Sequence, residues 1–206
     1  DKIYLITLLV VSILLSILIV KNFSNDFLIN TILISSAFYL FFITLRDFFN
    51  KGFKNLAQNT AHFGFSLLIL SILFNNLFST EIITNLKVGE TFENTKTKII
   101  FENINQKGEK NYKSIIAKFI IQDSKGKIEN LSPELRIYNQ PNTVTSEADI
   151  KTTLLSDKFI VINLLPNQEL FNVRYQVKPF MLWIWISVIL ISVGGLMSFL
   201  KKEYEK

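Results

Sequence analysis

The sequence predicts an α+β membrane protein: four transmembrane helices with an all-β soluble domain inserted between the third and the fourth. Two observations support this fold class. Of all residues, 49% are hydrophobic, and many are gathered into blocks as long as a bilayer span. Between the last two blocks the apolar residues instead alternate with a period of two, which is typical of half-buried strands.

The four apolar blocks approach the roughly 20 residues that a helix needs to cross a bilayer. They are residues 3–20, 27–45, 61–78 and 180–200. The first block lacks a basic start beyond Lys2 and a small-residue cleavage site, so we interpret it as a span rather than a signal peptide. The chain opens on Asp1 and enters the first span almost at once, so we expect it to be the C-terminal part of a longer protein.

Basic residues beside the spans predict the orientation, because lysine and arginine concentrate on the inner side of a membrane. They follow the second and fourth blocks: Arg46, Lys51, Lys54, Lys201, Lys202 and Lys206. Residues 1–80 then hold three helices, residues 81–179 form a β domain on the outer face, and residues 180–206 hold the last helix and a basic inner tail. The net charge of +5 therefore reports topology, and no nucleic-acid partner is expected.

The β domain is predicted from its runs of β-branched and aromatic residues, such as Thr97–Glu102 and Ser114–Ile121. Turn residues separate such runs: Val88–Glu90, Asp123–Gly126 and Leu165–Asn167. We expect a small β-sandwich or barrel, with one short helix near Ser146–Leu155.

Small and polar residues recur at helical spacing within the spans, where they let helix backbones approach closely. They are Thr31, Ser35, Gly64, Ser71, Ser187, Gly194 and Ser198. The chain has no cysteine, which excludes disulfides and thiolate metal sites, so any redox chemistry needs a cofactor.

His62 is the only histidine, and it lies in the first turns of the third block. An ionisable side chain in a membrane is costly and usually has a partner. One interpretation is a structural histidine, hydrogen-bonded to a neighbouring helix or to headgroup water. The other is an axial ligand of a haem iron, with Gly64 and Ser66 leaving room for the macrocycle and a second ligand from elsewhere or from Met197.

Other polar and aromatic residues have simpler interpretations. Trp183 and Trp185 fit an aromatic belt at the outer interface, with packing against a haem edge as the alternative. Arg136 and Arg174 suit either haem propionates or, as we favour, salt bridges on strands. An acidic group is left without an assigned role: Glu147, Asp149 and Asp157.

A set of short strings, in order, resembles the CcmF/NrfE family, the haem lyase subunit of bacterial-type cytochrome c maturation. No string is specific alone, and together they cover the chain from Ala61 onward. The strings are Ala61–Gly64, Leu86–Glu90, Asn111–Tyr112, Pro133–Tyr138, Ser146–Ile150, Val173–Tyr175, Lys178–Phe180, Trp183–Trp185 and Gly194–Gly195. The chain departs from the family at Asp157–Phe159 and at Ser187.

The resemblance implies part of a haem lyase that joins haem to the thiols of apocytochrome c and is not active alone. His62 matches an axial ligand of the family's transmembrane b-type haem, which keeps the incoming haem reduced. The second ligand and a tryptophan-rich haem-handling segment belong to the family's N-terminal part, so the implied partners are that part, a haem chaperone, apocytochrome c and the lipid bilayer. The implied location is a bacterial or mitochondrial inner membrane; the alternative function is a non-catalytic scaffold with a structural His62.

Overall fold

The computed structural model describes residues 2–23, 26–50, 55–165 and 170–204. Within these ranges, four helices are long and apolar enough to cross a membrane. They are α1 (Lys2–Phe23), α2 (Phe27–Asn50), α3 (Leu56–Phe78) and α4 (Met181–Tyr204). The strands all lie between α3 and α4, which confirms the predicted fold class.

The chain divides into two compact units. The helical unit comprises residues 1–79, 154–156 and 179–206, and the β unit comprises residues 80–153 and 157–178. In the helical unit, α2 contacts α3 through a hydrogen bond between the side-chain oxygens of Thr44 and Ser66, 2.6 Å apart. Several serines and threonines of the spans donate to carbonyls one turn earlier, as Ser187 does to Trp183 at 2.6 Å, which satisfies their hydroxyls without water. The buried hydroxyl of Thr31 on α2 is an exception, since it has no hydrogen-bond partner among the described residues.

The third and fourth helices pack closely through glycine. A Cβ atom on Gly194 would lie 2.6 Å from the Ala61 nitrogen and 2.7 Å from the Ala57 oxygen. One on Gly64 would lie 2.9 Å from Cβ of Leu190. These contacts explain the glycine positions, since only hydrogen side chains permit such a backbone approach.

The β unit is a sandwich of two antiparallel sheets. The strands are β1 (Thr80–Leu86), β2 (Thr91–Glu93), β3 (Thr97–Gly108), β4 (Tyr112–Asp123), β5 (Ile128–Leu131), β6 (Glu134–Tyr138), β7 (Thr143–Glu147), β8 (Asp149–Thr152), β9 (Ser156–Leu164) and β10 (Phe171–Pro179). One sheet has the order β1-β10-β9-β8 and the other β2-β3-β4-β6-β7, with β5 also paired to β4. Both sheets supply the core, in which the rings of Phe101 and Phe119 stack at 4.4 Å.

The turns predicted at Val88–Glu90 and Asp123–Gly126 are confirmed. Gly89 and Gly126 have φ values of 86° and 78°, which only glycine adopts freely. Asp123 also accepts hydrogen bonds from the backbone of Lys125 and Lys127, at 2.9 and 3.0 Å, and so closes its hairpin. The turn expected at Leu165–Asn167 falls mostly outside the described residues.

The short helix expected near Ser146–Leu155 is wrong, because this stretch contains the end of β7 and all of β8. Ser146 pairs with Leu135 on β6, and Ile150 pairs with Phe159 on β9. The segment therefore crosses from one sheet to the other. Pairing with two sheets outweighs the helical preference of Glu147 and Ala148.

Candidate functional site

The face of α3 that carries His62 is open. On this helix the exposed residues share one side, since they follow each other at intervals of three, four or seven. They are Gln58, His62, Phe65, Ile72 and Asn76. Gly64 and Ser71 lie on the opposite side and are buried, and Ser66, which borders the open face, is buried as well.

His62 has no hydrogen bond or ion pair with any part of the chain that the structure describes. The residue is exposed, although it lies on a helix that is apolar enough to cross a membrane. A histidine that served only to link these helices would be buried and hydrogen-bonded. The open position instead leaves the imidazole available to a group outside this helical unit.

The room for a macrocycle does not come from Gly64 and Ser66, contrary to the sequence interpretation. Gly64 packs on α4, and Ser66 is buried against Thr44 of α2. The space beside His62 is the open face itself, where Phe65 is 53% exposed one turn further along. A flat apolar ligand would therefore lie on that face rather than in a cleft between α3 and its neighbours.

A small polar cavity of about 50 Å³ adjoins His62 at the start of α3. Its lining comes from the end of α2 and the start of α3: Thr44, Asp47, Asn55, Gln58, Asn59 and His62. The buried Asn59 amide donates from Nδ2 to the Asp47 backbone oxygen at 3.3 Å and ties the two helices together. The cavity is too small for haem, but its oxygen atoms can accept a hydrogen bond from an imidazole N–H.

Sequence reasoning singled out His62 but missed this cavity. The signal was present on α3, because Asn55, Gln58, Asn59 and His62 are spaced at i, i+3, i+4 and i+7, as neighbours on a helix are. The contribution of Thr44 and Asp47 depends on how α2 packs on α3, and no spacing shows that.

Met197 is partly buried on α4, one turn beyond Gly194, on the side that packs against α3. Its position is explained by helix packing. The histidine/methionine pair stays a prediction.

The arginines of the β unit form salt bridges on strands. Arg136 donates from Nε and Nη2 to the two carboxylate oxygens of Glu134, both at 3.1 Å, and lies 5.3 Å from the centre of the Tyr112 ring. The hydrogen bond from Arg136 holds the pKa of Glu134 below its usual value. Arg174 and Gln176 both donate to Glu81, and these bonds, from Gln176 first, lower the pKa of Glu81.

The acidic group is dispersed rather than assembled into a metal site. Asp149 accepts from the Ser132 backbone at 2.5 Å, and Glu147 accepts from Thr145 at 3.2 Å. Within the described ranges no cluster of histidine, aspartate and glutamate has the form of a metal site.

The profile of the family described as CcmF C-terminal beta-sandwich matches residues 77–179, half of the chain. The chain belongs to the CcmF family. The match coincides with the β unit and its flanks, so membership follows from the sandwich and is independent of His62.

Curated relatives extend the likeness into the helices. The chain is 24% identical over 172 residues to the cytochrome c-type biogenesis protein CcmF of Pseudomonas aeruginosa, covering 77% of this chain and 26% of that protein. It is 25% identical to CcmF of Escherichia coli, with coverage of 71% and 23%, and 25% identical to the probable cytochrome c-type biogenesis protein NrfE of the same organism, with coverage of 76% and 28%. The chain thus spans about a quarter of the length of these relatives.

A solved structure named Cytochrome c Heme Lyase CcmF has the same fold. The TM-score is 0.66 at 17% identity, and the match covers 93% of this chain and 33% of that one. The chain therefore has the fold of part of that structure.

Proposed function

We propose that this chain is part of a cytochrome c haem lyase, in which His62 is an axial ligand of a transmembrane b-type haem. The observation that carries the proposal is the exposed imidazole without a partner among the described residues, set in an apolar span. Family membership supports the proposal, because curated CcmF proteins are named for cytochrome c biogenesis.

The residues beside His62 fit a haem at this position. The open face of α3 offers an imidazole ligand together with the exposed ring of Phe65, which suits the apolar surface of a macrocycle. A histidine that binds iron through one nitrogen donates its other N–H to an oxygen, and the adjoining cavity is lined by Thr44, Asp47 and Gln58. Such an acceptor fixes the ring orientation. The haem, when bound, would supply one-electron transfer.

The remaining requirements of the reaction lie outside this chain. A second axial ligand, the tryptophan-rich haem-handling segment and the haem chaperone are assigned to the N-terminal part of the protein and to other components. The substrates are haem and the thiols of apocytochrome c. The basic residues beside α2 and α4 favour an inner-membrane location with the β unit on the outer face, where it would brace the assembly near apocytochrome c.

The test is the reduced-minus-oxidised visible spectrum of the full membrane protein, with its N-terminal part present. His62→Ala is expected to lose most of the b-type α band, because one iron ligand is removed. His62→Gly with added imidazole should regain part of it. Asn76→Ala is the matched control, since Asn76 is a polar residue on the same face of α3, further from its start.

An unchanged α band in His62→Ala would refute the ligand assignment and favour the alternative, a scaffold that docks assembly partners. A protein that purifies without haem in the wild type would refute it as well.

A further inference from the structure

The loop between β8 and β9 carries two exposed leucines. Leu154 and Leu155 are 63% and 64% exposed, and together with Ser156 they belong to the helical unit. A pair of large apolar side chains on one short loop marks a contact surface, since water solvates such side chains poorly.

Two hydrogen bonds hold this loop against the start of α4. The indole Nε1 of Trp183 donates to the Leu154 oxygen at 2.9 Å, and the Phe180 nitrogen donates to the Leu155 oxygen at 2.9 Å. Phe180 has a φ of 61°, a backbone conformation that is rare for a bulky side chain. The backbone of the loop is therefore fixed at the level of the first turn of α4, while its two side chains remain uncovered.

That level is one boundary of the hydrocarbon layer. The apolar span of α4 runs over Met181–Leu200, 20 residues, which at 1.5 Å per residue amounts to about 30 Å, the thickness of the layer. Trp185, 60% exposed in the first turn and a half, is the residue type that favours such a boundary.

Aromatic rings surround the same end of the helical unit. Phe78, at the end of α3, contacts Phe23 at the end of α1 with ring centres 4.8 Å apart. Phe180 contacts Phe74 at 5.3 Å. The leucine loop thus lies at the end of the bundle where α1 and α3 finish and α4 begins.

We propose that Leu154 and Leu155 insert into the boundary between lipid headgroups and acyl chains, so that this loop is a membrane anchor of the helical unit. The occupant is lipid rather than a partner protein, because the loop is bonded to a spanning helix at the depth where that helix meets the headgroups. Neither leucine has a role in the proposed haem site.

Site-directed spin labelling tests this proposal directly, because this chain contributes no cysteine of its own, and any cysteine elsewhere in the full protein would first be replaced by serine. Leu154→Cys and Leu155→Cys would each be labelled in the full membrane protein, reconstituted in phosphatidylcholine nanodiscs. The measurement is the ratio of label collisions with oxygen, which enriches in lipid, to collisions with a water-soluble nickel chelate. Spin-labelled lipids calibrate depth, and Ser124→Cys, in the polar hairpin turn of the β unit, gives the aqueous reference.

Both leucine positions are expected to shift from the aqueous ratio towards that of the shallow labelled lipids. A ratio equal to that of Ser124→Cys would overturn the proposal, since the side chains would then lie in water. Low collision rates with both reagents would overturn it too, because a protein surface would cover the loop. Each substitution is at an exposed side chain and leaves no cavity, so failure to fold is not expected.

Discussion

Glu129 places a negative charge in the interior of the sandwich, and two neighbouring lysines neutralise this charge. The residue is 3% exposed on β5. Its two carboxylate oxygens lie 2.8 Å from Nζ of Lys158 and 2.9 Å from Nζ of Lys127. Lys158 belongs to β9, so this ion pair joins the two sheets. Burial raises the pKa of Glu129, but the hydrogen bonds from Lys158 and Lys127 outweigh it and the pKa is lowered overall.

Stability should therefore depend on this carboxylate at acid pH. A folded-state pKa below the unfolded value of about 4.3 means that the contribution is present above that value and is lost as pH falls through the folded pKa. Glu129→Gln is expected to destabilise the protein by roughly 3 kcal/mol at neutral pH, because it leaves Lys158, whose side chain is mostly buried, without its anion, whereas the exposed Lys127 can turn to water. The variant should also lose less stability than the wild type on acidification below about pH 4.

Hydrogen exchange of the β5 and β9 amides measures both effects. The matched control is Glu93→Gln, which breaks the exposed pair between Glu93 and Lys98, 3.0 Å apart, and is expected to change little. Equal loss of protection in the two variants would contradict the interior role of Glu129.

At the residue scale, sequence reasoning identified His62 because a lone ionisable group in an apolar block stands out by composition alone. It misassigned Gly64 and Ser66, which were expected beside the haem but contact α4 and α2. The difference is one of direction around a helix. A glycine or serine in a span shows that a small side chain is needed there. Which helix or ligand lies against that small side chain depends on how the helices pack, and the sequence does not show this.

At the scale of elements, the close packing of α3 on α4 needs Gly194 but not the adjacent Gly195. Gly194→Ala would place Cβ 2.8 Å from Cβ of Ala61 and closer still to backbone atoms, so the helices must separate. We expect a loss of about 1–3 kcal/mol, the usual cost of overpacking. Gly195→Ala is the matched control, since a Cβ there meets nothing within 4 Å.

Thermal unfolding in detergent compares the two. Gly194→Ala should lower Tm, and Gly195→Ala should leave it unchanged or raise it, because alanine favours a helix over glycine by up to about 1 kcal/mol. Similar Tm values for both variants would argue against close packing at Gly194.

Helices and strands could be predicted from the sequence where the hydrophobic residues keep one spacing over a long stretch. The spans and the long strands β3 and β4 follow from their patterns, and the turns at Gly89 and Gly126 follow from the need for positive φ. The stretch Ser146–Leu155 was misread because its residue types suit a helix, while long-range pairing with β6 and β9 decides its structure. Short segments that change sheets carry little local signal.

For the whole molecule, the basic residues at the ends of α2 and α4 predict that the β unit lies on the outer side of the membrane. Single-cysteine variants test it, because the chain has no cysteine of its own. Ser124→Cys should react with a membrane-impermeant maleimide added from the outer side of intact spheroplasts. Asn50→Cys, exposed at the end of α2, should react only after permeabilisation. The reverse pattern would invert the proposed topology and place the β unit on the inner side.

The first and last strands of the β unit are paired, so its two ends lie close together. Thr80 pairs with Val177 across β1 and β10, and the Asn75 amide donates to the Pro179 oxygen at 2.6 Å. The end of α3 and the start of α4 are therefore close together, as they would be if a short hairpin loop joined the two helices. An insert with adjoining ends can be gained, exchanged or lost in evolution without changing the register of the helix pair that carries it.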